Sequence, residues 1–92
     1  NMKTHLSLLA GAAALAFADQ AAAQITFYEH PDFRGRALTV SGETRDLSRT
    51  GFNDRASSVI VERGRWLVCH DAGYNGHCTV LRRGEYHTLR DM

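Results

Sequence analysis

The 92 residues hold one proline, one lysine and two cysteines, and apart from Lys3 every cation is arginine. The arginines are spread among the acids to a formal net charge of +1, so the clustered basic face that phosphate backbones require is missing and nucleic acid is excluded as a partner. No apolar run is long enough to cross a bilayer. Gly-x-Ser-x-Gly and a phosphate-cradling glycine loop are both absent, which removes the usual routes to hydrolase and nucleotide chemistry. The five histidines show no recognised ligand spacing and read as polar strand or turn positions, and no enzyme activity is expected. Cys69 and Cys78, with eight residues between them, fit neither a zinc knuckle nor Cys-x-x-Cys.

What is present begins with Lys3 and an uncharged stretch, residues 6–18, of mostly Leu, Ala, Gly and Phe, with Ala21-Ala22-Ala23 before Gln24 and Ala16-Phe17-Ala18 before Asp19 as candidate cleavage sites. A basic start, a short apolar centre and an Ala-x-Ala exit describe a secretory signal peptide. Residues 1–23 are therefore expected to be helical or disordered and to be removed, leaving residues 24–92 as one small domain, secreted or periplasmic, with no membrane attachment after cleavage. A domain of that size buries only ~60% of its unfolded surface and is marginal without a staple. In an oxidising compartment the expected staple is a Cys69–Cys78 disulfide, worth roughly 2–3 kcal/mol in the chain-entropy account.

Sliding the chain against itself by 41 positions lays Phe33-Arg34-Gly35 on Tyr74-Asn75-Gly76, Ile25 on Trp66 and Phe27 on Val68. Each copy reads as a strand, a turn holding aromatic-x-Gly and a second strand, and a period near 40 signals a repeated supersecondary unit. In the first copy, spanning about 24–63, strands are predicted over 25–28, 36–40 and 58–62, with a long connection before the last that suggests a Greek key. The second, about 64–92, repeats the plan with strands over 66–70, 77–81 and 86–89. Gly42 and Leu47 match Gly84 and Leu89 only at a shift of 42, and the second copy has no final strand. The chain is expected to be a fragment of a longer protein; otherwise the resulting sheet edge would invite a strand-completing partner chain or a dimer. Trp66 and Tyr74 could stack on a sugar, but each stands where the repeat expects a core aromatic.

The string Asn53-Asp54-Arg55-Ala56-Ser57-Ser58 places an amide, a carboxylate and two hydroxyls just before the apolar run Val59-Ile60-Val61. Oxygen donors of this kind suit calcium, although the same string can serve as an Asx turn.

Together, Ile25-Thr26-Phe27-Tyr28-Glu29 with Phe33-x-Gly35, Ser58 before a strand, Trp66, Tyr74-x-Gly76 and Gly84-Glu85-Tyr86 resemble the βγ-crystallin family, microbial calcium-binding type. The resemblance implies an all-β fold in which two Greek-key motifs form a β-sandwich, here with the second motif lacking its last strand. It also implies a structural corner built by Tyr28, Phe33, Gly35 and Ser58, echoed by Tyr74 and Gly76. Positions 53–58 fit the family's calcium pattern Asn/Asp-Asn/Asp-x-x-Ser/Thr-Ser at every specified place. The implied metal set is Asn53, Asp54, Arg55 through its carbonyl, and Ser57, with Glu29 and Asp71 as further oxygen sources. One carboxylate in the stretch implies a weak site, ~10⁻⁴ M or poorer. A calcium-binding structural module is the expected function; an extracellular binding or inhibitor protein on the same scaffold is the other.

Overall fold

A computed structural model describes residues 12–17, 23–47 and 56–89. Among them the chain forms seven strands and no α-helix: β1 (Ala13–Phe17), β2 (Gln24–His30), β3 (Arg34–Val40), β4 (Ser58–Arg63), β5 (Arg65–Asp71), β6 (Asn75–Leu81) and β7 (Gly84–Tyr86). The order is β3-β2-β4-β7 in one sheet and β1-β5-β6 in the other, with neighbours antiparallel throughout.

Period-2 alternation sends Ile25 and Phe27 of β2, Val59 and Val61 of β4, and Trp66 and Val68 of β5 to the space between the sheets. Val40, Leu47, Leu81 and Leu89 close this core, and Ala12, Ala14, Ala23 and Ala56 fill its narrow places. The two motifs exchange strands. β7 belongs to the second motif by sequence but pairs with β4 of the first, Val59 facing Tyr86 and Val61 facing Gly84. In the opposite sense Thr44, from the first motif, bridges to Ala14 beside β5.

Two sequence expectations are corrected here. The segment expected to be helical or disordered contains a strand: Ala13–Phe17 pairs with β5, Ala13 facing Cys69 and Phe17 facing Arg65. Ala12, Ala13 and Ala14 are fully buried. An uncharged run of small apolar residues satisfies a leader's central region and a buried strand equally, and composition does not separate them. Helix propensity, highest for alanine, yields to an open sheet edge whose backbone groups need partners. β1 thereby stands beside β5 as β4 stands beside β2 in the other sheet. The strand expected over 86–89 is also displaced, forming at Gly84–Tyr86 because its length is set by β4, its partner in the other motif.

Candidate functional site

The first corner follows β2. His30 leads into a short 3-10 turn, Pro31–Phe33, in which Asp32 and Phe33 both hold positive φ, 58° and 61°. Such values are uncommon outside glycine, more so for phenylalanine than for aspartate, and need outside support. Ser58 supplies it. Its Oγ donates to the His30 carbonyl at 2.6 Å and accepts from the Phe33 N–H at 3.0 Å, pinning both ends of the turn to the start of β4. Phe33 packs edge-on against Tyr28, ring centroids 5.7 Å apart. Gly35 follows at φ 85°, and the His30 ring lies 2.5 Å from where a Cβ would stand, so the corner tolerates only glycine there. The residues expected to build this corner are all brought together.

Ser58→Ala removes both side-chain bonds and leaves the partly buried Phe33 N–H and His30 carbonyl without that partner. The expected loss is about 1–3 kcal/mol, read from the denaturant midpoint at unchanged slope. A loss below ~0.5 kcal/mol would show that the corner stands without the hydroxyl.

The second corner repeats the geometry with different chemistry. Gly73 and Tyr74 hold φ 72° and 62°, and Gly76, at φ 76°, lies under the Asp71 carboxylate. The register position of Ser58 is taken by Ala13, which has no hydroxyl. Tyr74 instead donates to Glu43 Oε2 at 2.9 Å, with the Arg45 guanidinium 5.3 Å from its ring centroid. Burial, and then the bond to Glu43, push the phenol up to about 12, which keeps it a donor across the neutral range. Cys69 and Cys78 face each other on β5 and β6 and form the expected disulfide.

Sequence reasoning passed over His87. It stacks on Phe33 with centroids 4.7 Å apart, places Nδ1 3.1 Å from Asp32 Oδ1, and accepts from the Asp32 N–H through its carbonyl at 3.0 Å. Arg45 does the same work on the other side, its carbonyl accepting from Gly73 N–H at 2.8 Å while its guanidinium covers Tyr74. The signal was available in the shift of 42 that pairs position 45 with 87.

Of the expected calcium donors, Asn53, Asp54 and Arg55 lie outside the described residues. Ser57 is buried at the mouth of β4, its N–H bonded to the Tyr28 carbonyl at 2.8 Å and its carbonyl accepting from Leu89 N–H at 2.9 Å, so both motifs meet at this residue. Glu29 turns its carboxylate toward Arg36, accepting from the backbone N–H at 3.3 Å with the guanidinium 3.7 Å away. Asp71 is exposed and paired with His70 at 3.1 Å. Among the described residues no three His, Cys, Asp or Glu side chains converge on a common metal position.

The beta/gamma crystallin family model matches residues 24–92. The chain belongs to the beta/gamma-crystallin family. A beta/gamma-crystallin of Ciona intestinalis is 40% identical over 63 residues, covering 68% of this chain and 75% of that protein. Gamma-crystallin-4 of Xenopus laevis is 40% identical over 62 residues, 67% of this chain and 35% of its own length. An epidermal differentiation-specific protein of Cynops pyrrhogaster is 39% identical over 62 residues, of which this chain spans only 18%. The solved beta/gamma-crystallin from Ciona intestinalis superposes with a TM-score of 0.68 at 38% identity, covering 71% of this chain and 78% of that one. This beta/gamma-crystallin is a structural module: two strand-exchanged motifs, each turned around an aromatic corner.

Proposed function

We propose that this beta/gamma-crystallin module is exported and is stabilised by one weakly held calcium ion at the stretch from Asn53 to Ser57. The observation that carries the reading is the fit of positions 53–58 to an oxygen-rich calcium string whose last two residues stand at a junction of both motifs. Ser58 is committed to the corner, which leaves the Ser57 hydroxyl, the Asn53 amide, the Asp54 carboxylate and the Arg55 carbonyl to hold the ion. A hard cation accepts such neutral oxygens, and a single carboxylate keeps the affinity near ~10⁻⁴ M or poorer. Calcium supplies a cross-link, tying the long connection after Leu47 to the strand that follows. Glu29 and Asp71, engaged by Arg36 and His70, contribute backbone oxygens before carboxylates.

At tenfold excess over its dissociation constant the ion adds roughly 1.4 kcal/mol. Calorimetry at millimolar calcium is expected to show a raised melting temperature that EDTA reverses and Asp54→Ala abolishes. No shift and no heat of binding would remove calcium from the function. Export rests on the leader-like residues 1–23 and on the buried disulfide, which needs an oxidising compartment. Ala23 is buried against Gly64, so cleavage after it must come before folding. Processed protein should begin at Gln24, as terminal sequencing would show, and an intact leader on secreted material would refute that boundary.

A further inference from the structure

The two copies of the repeat put one pair of positions to different use. In the first copy Glu29, near the end of β2, meets Arg36 on β3: the guanidinium stands 3.7 Å from the carboxylate, which also accepts the Arg36 N–H at 3.3 Å. The shift of 41 lays Glu29 on His70 and Arg36 on His77, so the second copy replaces an ion pair with two imidazoles. The hairpin carries both rings to one face. β5 and β6 pair Val68 with Thr79 and Cys69 with Cys78, then slip by one residue, so that Gly76 and His77 together face His70 before Asp71 pairs with Asn75. The disulfide holds Cys69 and Cys78 on one side of the sheet. Alternation therefore sends His70 and His77 to the other side, the one on which Val68 is buried and Thr79 stands. Side chains opposite one another on a sheet face have Cβ atoms about 4.5–5.5 Å apart, within the span of two imidazoles that share an ion.

Three polar atoms on this face are closed off from solvent: His70 Nε2, His77 Nε2 and Thr79 Oγ1. His70 Nε2 and Thr79 Oγ1 have no hydrogen-bond partner, and buried polar atoms in that condition mark a strained or ligand-holding place. The other nitrogen of His70 shows which. Nδ1 lies 3.1 Å from Asp71 Oδ1, and an ionised carboxylate only accepts, so the ring proton sits on Nδ1 and the lone pair on Nε2. Gly76 makes room for this contact, since a Cβ there would stand 2.6 Å from Asp71 Oδ2 and 3.5 Å from the His70 Cβ. A carboxylate behind one imidazole nitrogen, with the other nitrogen buried and unpartnered, is the arrangement that orients histidine toward a metal. We propose that His70 and His77 bind a divalent transition-metal ion of the zinc and copper class through their Nε2 atoms. Imidazole nitrogen selects that class over calcium and magnesium, which take oxygen. Asp71 is a positioning residue that fixes the tautomer and angle of His70, and Thr79 Oγ1, on the same face, offers a partner to water on the ion. With two protein ligands the ion keeps water in its other positions, and no third His, Cys, Asp or Glu is needed. The ion cross-links β5 to β6 on the side opposite the disulfide and steadies the second corner. The site does not rest on the calcium reading.

The test is a calorimetric titration of the full chain with zinc in calcium-free buffer at neutral pH, with copper(II) as the spectroscopic probe. One zinc per chain is expected, and at a hundredfold excess over the dissociation constant the melting temperature should rise by at least about 10 °C. Bound copper should show magnetic coupling to two imidazole nitrogens, a reading on the unmodified chain that depends on no variant. His70→Asn and His77→Asn should each weaken zinc at least tenfold, and Asp71→Asn about tenfold through its hold on His70. His70→Glu combined with His77→Arg installs the ion pair that the first corner already accommodates, and this variant should fold and bind no zinc. His87→Asn, at the first corner, should leave the affinity unchanged. Failure of the unmodified chain to bind zinc overturns the proposal, as does binding that survives the Glu and Arg exchange. Binding that His87→Asn removes, or copper coupled to fewer than two imidazoles, overturns it equally.

Discussion

Trp66→Ala is expected to cost about 3–5 kcal/mol, the range for removing a large aromatic from a packed core. For a chain of this size each kcal/mol lowers the melting temperature by about 4–8 °C, so the drop is at least about 12 °C and the variant is barely folded at ambient temperature. The magnitude follows from what surrounds the indole. Trp66 is fully buried and is the largest side chain of the core, standing on β5 opposite Leu81 on one flank and Ala16 on the other. Alanines dominate its side of the core, and Ala12, Ala14 and Ala23 have no side-chain length with which to refill the space. The cavity therefore stays open, which is the expensive outcome. The indole Nε1–H also donates to the Arg63 carbonyl at 3.1 Å, at the bend between β4 and β5, and that acceptor loses its partner. Trp66→Phe keeps most of the volume and should recover more than half of the loss. Denaturant titration of both variants decides the matter, and a cost below ~1.5 kcal/mol for the alanine variant would mean that the indole does not anchor the core.

Breaking the Cys69–Cys78 bond is expected to cost about 2–3 kcal/mol. The two cysteines are directly paired across β5 and β6, nine positions apart in sequence, and the bond closes the hairpin that carries the second corner. That corner has no serine at the register position of Ser58, and the covalent link joins the two strands that flank it. Cys69 is fully buried and Cys78 nearly so, and a reductant must wait for the sheet to open. Reduction should accordingly be slow under native conditions and accelerate steeply at low denaturant concentration, while Cys69→Ala with Cys78→Ala shows the full equilibrium loss at once. Thermal unfolding with and without reductant measures it. A double variant as stable as the parent would assign the bond no structural role.

Much of this architecture was legible in the chain. Alternation and aromatic-x-Gly turns located β2–β3 and β5–β6, because each pair is a hairpin whose pairing is local, and the apolar run Val59-Ile60-Val61 marked β4. The bounds of β7 were not, since its partner is β4, in the other motif, and nothing within residues 84–89 encodes that choice. β1 was missed for a related reason: a run of alanines says that a segment avoids water and not which sheet receives it. The positive φ of Asp32 and Phe33 was equally invisible, being imposed by Ser58 from 25 positions away. At the proposed calcium stretch the assignment of Asn53, Asp54 and Arg55 is read from the sequence alone, and geometry adds the placement of Ser57 where the motifs meet.

The traded strands have a thermodynamic consequence. Because β7 of the second motif completes the first motif's sheet while Thr44 of the first reaches across to the strand beside β5, neither half owns a full set of hydrogen-bonded neighbours. Fraying of one half strips the other of an edge and uncovers a shared interior. Partly melted species are therefore penalised twice, and the molecule is bound to lose its order in a single all-or-none step.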